Sequence, residues 1–171
     1  MKSLLFILLG CCLGSGLAQA AGDAAALTRT GQAMPGFTVT TLDGKVIGPG
    51  QMKGRVVLVN FFATWCPPCM LEMPRLEKEI WGVFKNDKKF LMVSIAREQS
   101  ETDVKQFLQK TPYTFSFAAD PKRGVYSKFA TQGIPRNYLV NAAGRIVFQS
   151  EGYDAKDFDL LAKAIKKELA K

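Results

Sequence analysis

The sequence predicts one α/β domain, in which a central mixed β-sheet is flanked by helices. Three observations carry this prediction. Residues 56–62 form an apolar, β-branched run of strand length, which is typical of a strand buried on both faces. Strand and helix patterns then follow one another as β-α-β and finally as β-β-α. The chain has 171 residues, 47% of them hydrophobic, which is enough for one such core.

The chain begins with a predicted signal peptide. A charged start, an apolar stretch and an A-x-A signature ending at Ala20 predict that residues 1–20 are removed by cleavage. The alternative is a lipoprotein signal in which Cys11 is acylated and anchors the protein. Either signal predicts export to the periplasm, where disulfide chemistry is permitted.

A leader and a hairpin are predicted next. Residues 21–33 are rich in Ala and Gly and are expected to form a mobile leader, followed by one domain over residues 34–171. Residues 37–42 alternate like a strand, and Asp43-Gly44 is a hairpin signal before a second short strand. The domain is therefore expected to open with an N-terminal β-hairpin.

The central strand leads directly into a helix. Apolar residues recur at roughly helical spacing over residues 70–84. A second buried strand is expected over residues 90–95. This arrangement places the Cys66-Pro67-Pro68-Cys69 sequence at the start of the helix.

The middle of the chain, residues 96–130, predicts a helix–strand–helix insertion. Ser100 to Asp103 resembles a capping box for the first helix. Residues 115–119 are expected to form a strand. Asp120, followed by proline, predicts the cap of a second helix, whose buried side would consist of Val125, Tyr126 and Phe129.

The C-terminal part predicts two strands and a helix. The strands cover residues 136–140 and 145–149, and the loop between them ends in Gly144. Asp154 is expected to cap the last helix. Its apolar stripe consists of Phe158, Leu161, Ile165 and Leu169.

The cysteine pair carries the predicted chemistry. The first turn of a helix has unpaired N–H groups and the positive end of the helix dipole, so a thiolate is favoured there. Because the thiolate is the form that attacks disulfides, Cys66 is the predicted nucleophile. Cys69 lies one turn later and is predicted to close the ring and release a bound partner. Pro67 and Pro68 lack N–H groups, which costs little at the first helical positions, and they stiffen the ring.

Other uses of a C-x-x-C pair fit the sequence less well. A zinc site needs about four nitrogen or sulfur ligands, and the chain has no histidine. A haem attachment motif requires histidine where Met70 stands. A structural disulfide across two residues would constrain the unfolded chain very little. We therefore expect no metal and no cofactor beyond the Cys66–Cys69 disulfide itself.

Residues 60–69, followed by Glu72-Met73-Pro74, resemble the thioredoxin superfamily, and within it the TlpA/ResA-like branch of exported thiol–disulfide oxidoreductases. The resemblance runs from about Gly31 to the C-terminus. It implies a thioredoxin-like fold with the hairpin and the insertion described above. It also implies that the proline after Ile134 is cis and faces the cysteines, which leaves the Ile134 backbone free to pair with an extended substrate.

The resemblance raises further candidates around the cysteines. Trp65 is expected to cover the disulfide or to stand at its rim. Asn60 replaces the buried aspartate of many thioredoxins and cannot titrate. The ResA-like proteins carry a glutamate near the active site, for which Glu98 is the nearest match; it would exchange protons with Cys69 or be a surface residue paired with a neighbouring cation.

Arg136, which follows Pro135, stands where the family often has threonine. A guanidinium near the sulfurs would favour the thiolate and make the disulfide more oxidising. The alternative is an arginine that faces solvent at the strand end.

The function implied by these features is an exported thiol–disulfide oxidoreductase that reduces protein disulfides. By resemblance, a membrane protein of the DsbD/CcdA type would supply electrons, and cytochrome c maturation is a possible process. The alternatives are a thiol oxidase or disulfide isomerase of the same fold, or a peroxiredoxin-like peroxide reductase. The net charge of +8 is read as a solvated surface, with no nucleic-acid motif, and a monomer is expected.

Overall fold

The structure, a computed structural model, describes residues 23–171, so the predicted signal peptide and Cys11 lie outside the described residues. The strands are β1 (Val39–Thr40), β2 (Val46–Ile47), β3 (Val56–Phe62), β4 (Phe90–Arg97), β5 (Ser116–Asp120), β6 (Arg136–Val140) and β7 (Ile146–Glu151). The helices are α1 (Pro49–Met52), α2 (Pro67–Arg75), α3 (Gly82–Phe84), α4 (Glu101–Leu108) and α5 (Ala155–Leu169). None of these helices is long and apolar enough to cross a bilayer.

Five strands form one mixed sheet in the order β5-β4-β3-β6-β7. The central strand β3 is parallel to β4 and antiparallel to β6. All seven residues of β3 are buried, as its continuous apolar run predicts. Because β3 is the central strand, its carboxyl end lies in the middle of the row of strand ends. The chain leaves the sheet at this point and enters α2. The predicted thioredoxin-like α/β fold is confirmed.

Each face of the sheet has its own apolar core. On one face, Met73, Leu76 and Ile80 pack with the stripe of α5 that consists of Phe158, Leu161 and Ile165. On the other face, an aromatic cluster joins Phe61 of β3 to Tyr126, Phe129 and Tyr138. Consecutive residues of β3 and β6 point to opposite faces, so each strand contributes to both cores.

The helix that follows the cysteines is continuous over the predicted span but changes its winding. Between α2 and α3, residues Leu76–Trp81 are π-helical. Pro74 lies inside α2, where it has no N–H to donate to the carbonyl of Met70. The wider turns begin two residues after this proline.

The prediction of a second helix in the insertion is wrong. After β5 the chain forms turns and then one 3-10 turn over Tyr126–Lys128. Asp120 does act as a cap, but its carboxylate accepts from the N–H groups of Val125 (3.0 Å) and Tyr126 (2.8 Å), too far along the chain to start an α-helix. Arg123 has a positive φ of 57°, which also interrupts a helix. The predicted buried side, Val125, Tyr126 and Phe129, is correct.

The described part of the predicted leader has backbone partners in the domain. Residues 23–33, called the strap below, are hydrogen-bonded along the domain. The N–H of Leu27 donates to the carbonyl of Phe129 at 2.8 Å, and the N–H of Thr131 donates to the carbonyl of Ala25 at 2.9 Å. Further along, the N–H of Gly31 donates to the carbonyl of Ile146 at 2.8 Å. Small residues keep the strap close to the domain, which composition alone does not distinguish from flexibility.

The strap and the N-terminal hairpin occupy opposite edges of the sheet. The strap lies beside β7, while the hairpin lies beside β5, where the N–H of Leu42 donates to the carbonyl of Phe117 at 2.8 Å. Each outer strand therefore has backbone partners on its outer side over a short stretch, at Ile146 in β7 and at Phe117 in β5.

The pole of the domain opposite the carboxyl end of β3 is strongly basic. Gly54, Lys89, Asn141 and Lys171 line one cleft there, which shows that three loops and the end of α5 meet. Residues 23–171 contain 22 basic and 15 acidic side chains. Nine of the basic and two of the acidic side chains lie at this pole, so thirteen basic and thirteen acidic side chains lie elsewhere. The nine residues of this basic pole are Lys53, Arg55, Lys85, Lys88, Lys89, Arg145, Lys166, Lys167 and Lys171.

Candidate active site

The cysteine pair lies at the junction of β3 and α2. Cys66 is the N-cap residue of α2, with extended backbone angles, and Pro67 and Pro68 occupy the first helical positions. The backbone N–H of Cys69 donates to the Sγ atom of Cys66 at 3.3 Å. Because the prolines have no N–H groups, Cys69 supplies the first helical N–H that reaches this sulfur. The arrangement favours negative charge on Cys66 when the pair is reduced.

The two sulfurs are joined in a disulfide, and they differ in exposure. The Cα atoms of Cys66 and Cys69 are 5.3 Å apart. Cys66 keeps 3% of its surface exposed and Cys69 keeps none. Of the two residues, only Cys66 therefore has any surface open to an incoming sulfur.

A loop from the other half of the domain faces Cys66. The carbonyl oxygen of Ile134 lies 3.8 Å from the Sγ atom of Cys66. The peptide bond between Ile134 and Pro135 is cis, as the resemblance implies. Trp65 is 64% exposed and Pro67 is also exposed, so an apolar rim flanks Cys66 and Trp65 stands at that rim.

The segment before Cys66 is braced from β4. The side-chain oxygen of Gln99 accepts from the N–H of Thr64 at 2.7 Å, and its amide nitrogen donates to the Thr64 hydroxyl at 2.7 Å. Gln99 is buried although it follows β4 in a loop. This bidentate contact fixes the turn that carries Trp65 and Cys66, and sequence reasoning did not predict it.

A buried carboxyl group lies one helical turn beyond Cys69. Glu72 is 2% exposed and belongs to the buried side of α2, together with Cys69 and Met73. Its two oxygens accept from the amide groups of Asn60 (3.0 Å) and Asn137 (2.6 Å). Burial raises the pKa of Glu72 to about 7, although the two amide donors oppose the rise.

The polar network around Glu72 explains Asn60. Its amide also donates to the oxygen of Asn137 at 3.0 Å, and its own oxygen accepts from the hydroxyl of Ser94 at 2.7 Å. Asn60 does not titrate, but it holds the group that does. Sequence reasoning missed Glu72; the available signal was its position three residues after Cys69, with Asn60 and Asn137 interrupting two apolar strands.

Glu98, the glutamate proposed from the resemblance, lies in a different setting. Its carboxylate is 40% exposed and pairs with Arg97 at 2.6 Å and Arg123 at 3.6 Å. This is the surface pairing that the alternative interpretation expected for Arg97. The structure brings Glu72, and not Glu98, into the buried group behind the cysteines.

Arg136 fits neither expectation. It is 1% exposed, so it does not face solvent. It neighbours Asn137, which reaches Glu72 on the α2 face, so the Arg136 side chain lies on the opposite face of the sheet. There its guanidinium forms ion pairs with Asp23 and with Glu151, the latter at 3.3 Å. The hydrogen bond from Arg136 lowers the pKa of Asp23.

Comparison with known proteins decides the family, since residues 29–165 match the Redoxin family. The chain belongs to the Redoxin family. The thiol-disulfide oxidoreductase ResA of Bacillus anthracis is 30% identical over 127 residues, which are 74% of this chain and 72% of that protein. The thioredoxin-like protein YneN of Bacillus subtilis is 33% identical over 117 residues, 68% of each chain. The predicted resemblance to ResA-like thioredoxins is confirmed.

Solved structures of this Redoxin chain's relatives have the same fold. The solution structure of a candidate protein disulfide isomerase from Bacteroides thetaiotaomicron has a TM-score of 0.82 and 33% identity, covering 86% of this chain and 94% of its own. A thiol:disulfide interchange protein from Chlorobium tepidum has a TM-score of 0.67 and 28% identity, covering 83% and 98%.

These findings define the enzyme class. A Redoxin chain of the ResA type with a bonded Cys66–Cys69 pair is a thiol–disulfide oxidoreductase. Its redox group is the cysteine pair itself. Within residues 23–171, no cluster of three or more His, Cys, Asp and Glu side chains is arranged to hold a metal ion.

Proposed function

We propose that the protein reduces disulfides of exported proteins, with Cys66 as the nucleophile and Cys69 as the resolving thiol. The observation that supports this most strongly is the asymmetry of the pair. Cys66 is the N-cap of α2 and is the reachable sulfur, while Cys69 is fully buried behind it. A pair built in this way attacks with one sulfur and releases with the other.

The reaction proceeds by two exchanges. The Cys66 thiolate attacks one sulfur of the substrate disulfide, that bond breaks, and the other substrate sulfur leaves as a thiolate. The Cys69 thiolate then attacks the Cys66 sulfur of the mixed disulfide. The second substrate sulfur leaves, so the substrate gains two electrons and two protons while Cys66–Cys69 becomes a disulfide.

Glu72 serves the second exchange. Cys69 must lose its proton before it attacks, and its buried position excludes bulk water as the acceptor. Glu72 lies one turn further along the same buried side of α2, and with a pKa of about 7 it accepts or returns a proton near neutral pH. Asn60 and Asn137 keep its carboxyl group in place.

Substrate binding uses the loop that faces Cys66. The backbone of Ile134 pairs with an extended segment on one side of the substrate cysteine, in the manner of strand addition. Trp65, Pro67 and Pro68 provide the apolar rim around the exchanging sulfurs. This geometry suits a disulfide within an unfolded or flexible chain.

The cellular setting is proposed from the family. The signal over residues 1–20 directs export, with cleavage after Ala20 or, alternatively, anchoring through Cys11. A membrane protein of the DsbD/CcdA type returns electrons to Cys66–Cys69, the protein acts as a monomer, and oxidised apocytochrome c is one candidate substrate. The alternative direction, in which the same pair oxidises or isomerises thiols, uses the same residues.

One measurement separates the two directions. The purified protein is equilibrated with mixtures of reduced and oxidised glutathione, and the reduced fraction of Cys66–Cys69 is followed by alkylation. A pair that stays oxidised until glutathione is almost wholly reduced is a reductant and supports the proposal. A pair that is readily reduced by glutathione assigns the oxidase or isomerase direction instead.

Trapping tests the order of attack. In Cys69→Ser, the mixed disulfide on Cys66 cannot be resolved, so substrate proteins should accumulate as covalent adducts. Cys66→Ser is the matched control and should trap far fewer. Equal trapping by both variants would contradict the assignment of Cys66 as the nucleophile.

A further inference from the structure

The first residues of the strap lie against the loop that faces the active site. The carbonyl of Ala25 accepts from the N–H of Thr131 at 2.9 Å, where that loop begins. At the N-terminal end of the strap, the Asp23 carboxylate accepts from the N–H of Ala25 at 3.0 Å, which fixes the orientation of the carboxylate. The strap thus places a carboxylate beside Arg136, the first residue of β6, directly after the loop.

Arg136 joins the strap to the loop with all three of its nitrogens. Both terminal nitrogens donate to the two oxygens of Asp23, one of them at 3.1 Å. One of them also lies 3.3 Å from the Glu151 carboxylate at the end of β7. The remaining nitrogen, Nε, donates to the carbonyl of Gln132 at 2.9 Å. Arg136 is buried, so these partners compensate a charge that water does not reach.

The carbonyl groups of the loop are bonded to fixed elements except at one residue. Arg136 holds that of Gln132, the hydroxyl of Tyr126 donates to that of Gly133 at 2.6 Å, and the N–H of Gly152 donates to that of Pro135 at 2.8 Å. The carbonyl of Ile134 instead faces the Cys66 sulfur. The contacts therefore leave this peptide oxygen directed to the position where a substrate lies.

We propose that Asp23 and Arg136 are positioning residues that couple the strap to the loop and so determine how well extended peptide substrates bind at Ile134. The proposal rests on the proposed function, because it concerns the same site. It adds a part of the chain, the strap, that does not touch the cysteines. Neither residue takes part in the sulfur exchange.

The physical reason lies in the cost of a half-paired buried cation. Without the Asp23 carboxylate, the guanidinium retains Glu151, which is itself partly exposed. Arg136 then moves toward water or toward Glu151, and its Nε no longer holds Gln132 in place. The loop next to Ile134 gains freedom, and a peptide that pairs with it must first restore the bound conformation.

The test compares two substrates in single turnover with prereduced full-length protein. One substrate is an extended peptide that carries a mixed disulfide with glutathione, and the other is hydroxyethyl disulfide, which has no backbone to pair. For Asp23→Asn, we expect the second-order rate constant for the peptide to fall about tenfold. The rate constant for hydroxyethyl disulfide should stay within about twofold of the parent, because the cysteines are untouched.

Matched variants complete the design. Asp43→Asn removes an exposed carboxylate that pairs with Lys45 in the β1–β2 hairpin, and it should leave both rate constants unchanged. Asp23→Glu retains the charge and should recover part of the peptide rate. An equal fall for both substrates, or no fall for the peptide, would overturn the coupling. A parent protein that reduces neither disulfide would instead overturn the proposed function, on which the coupling depends.

Discussion

At the scale of single residues, Glu72 is a buried acid of the site whose pKa burial raises to about 7. Its carboxyl group is enclosed by α2, β3 and β6 and receives only neutral amide donors, from Asn60 and Asn137. Burial in such a position favours the protonated form. A group that changes its protonation state near pH 7 is suited to exchange protons with a thiol, which Asn60 alone is not.

The raised pKa predicts a measurable effect on stability. Between the ordinary value of 4.5 and about 7, the unfolded state loses the Glu72 proton while the folded state keeps it. The free energy of unfolding should therefore fall as pH rises through this window, by up to about 3 kcal/mol, and be level above it. Urea unfolding of the oxidised protein measures this without interference from thiols.

Glu72→Gln is the comparison variant for that experiment. Its side chain has no proton to lose, so the fall between pH 4.5 and 7 should be absent. The amide also faces one of its two amide neighbours with a donor, so the variant is less stable at low pH. Parallel curves for the two proteins would show that Glu72 titrates normally in the fold.

At the scale of elements, the loop before β6 requires glycine at one position. Gly133 has a φ of +85°, and a Cβ there would lie 1.9 Å from Oε1 of Glu151 and 2.6 Å from its Cδ. Glu151 must move to admit this Cβ, and the same carboxylate pairs with Arg136 at 3.3 Å. Gly144, in the turn between β6 and β7, has a similar φ of +77° but nothing within 4 Å of an added Cβ.

These two glycines give a prediction with an internal reference. Gly144→Ala should lower the free energy of unfolding by about 1–2 kcal/mol through its backbone conformation alone. Gly133→Ala should cost ~1 kcal/mol more, because it also separates Glu151 from Arg136. In a Glu151→Ala background the two costs should become equal. If Gly133→Ala remains the more costly there, the contact with Glu151 is not the cause.

The elements also show what sequence patterns can and cannot predict. Strands β3, β4 and β6, the helix after Cys66 and the capping box at Ser100 have local signatures, because a buried strand or an N-cap is specified by its own residues. The segment after Asp120 carries similar signals but folds differently. Its Asp120 cap skips to Val125 and Tyr126, and Arg123, with its positive φ, donates to the carbonyl of Thr131 in the loop before β6, a contact that the local sequence does not specify.

The active site follows the same division. Cys66, Cys69 and Pro135 could be predicted because the motif and its position are local. The contacts of Glu72 and Arg136 depend on tertiary structure. The register of β6 against β3 places Asn137 on the face that α2 covers, where it reaches Glu72, and places Arg136 on the opposite face. The strap was not predicted because Ala and Gly allow close packing as readily as disorder.

At the scale of the whole molecule, the excess positive charge lies far from the cysteine pair. The basic pole accounts for the entire net charge of residues 23–171, and it lies at the other end of β3 from the cysteines. Seven strand residues span about 20 Å, which exceeds two Debye lengths of ~8 Å at physiological salt. The pole therefore contributes little to the electrostatics of the disulfide.

Charge reversal tests this separation. Changing Lys85, Lys88, Lys166 and Lys167 to Glu should greatly shorten retention on a cation exchanger. The rate with hydroxyethyl disulfide should change less than about twofold at physiological salt. The reference variant reverses four lysines outside the pole, Lys105, Lys110, Lys122 and Lys163; it has the same net charge and should be retained longer. A large change in rate for the pole variant would contradict the separation.

The contacts at the two outer strands affect whether the protein aggregates with its substrates. A protein that reduces disulfides in unfolded chains, as proposed above, meets segments that form strands readily, and an uncovered outer strand would pair with them and promote aggregation. Here the strap pairs with the start of β7 at Ile146, and the hairpin pairs with β5 at Phe117, so each outer strand is covered in part. Under the proposed function, we expect a substrate strand to pair with the backbone at Ile134 next to Cys66 rather than with the covered parts of the outer strands, and to leave when the mixed disulfide is resolved.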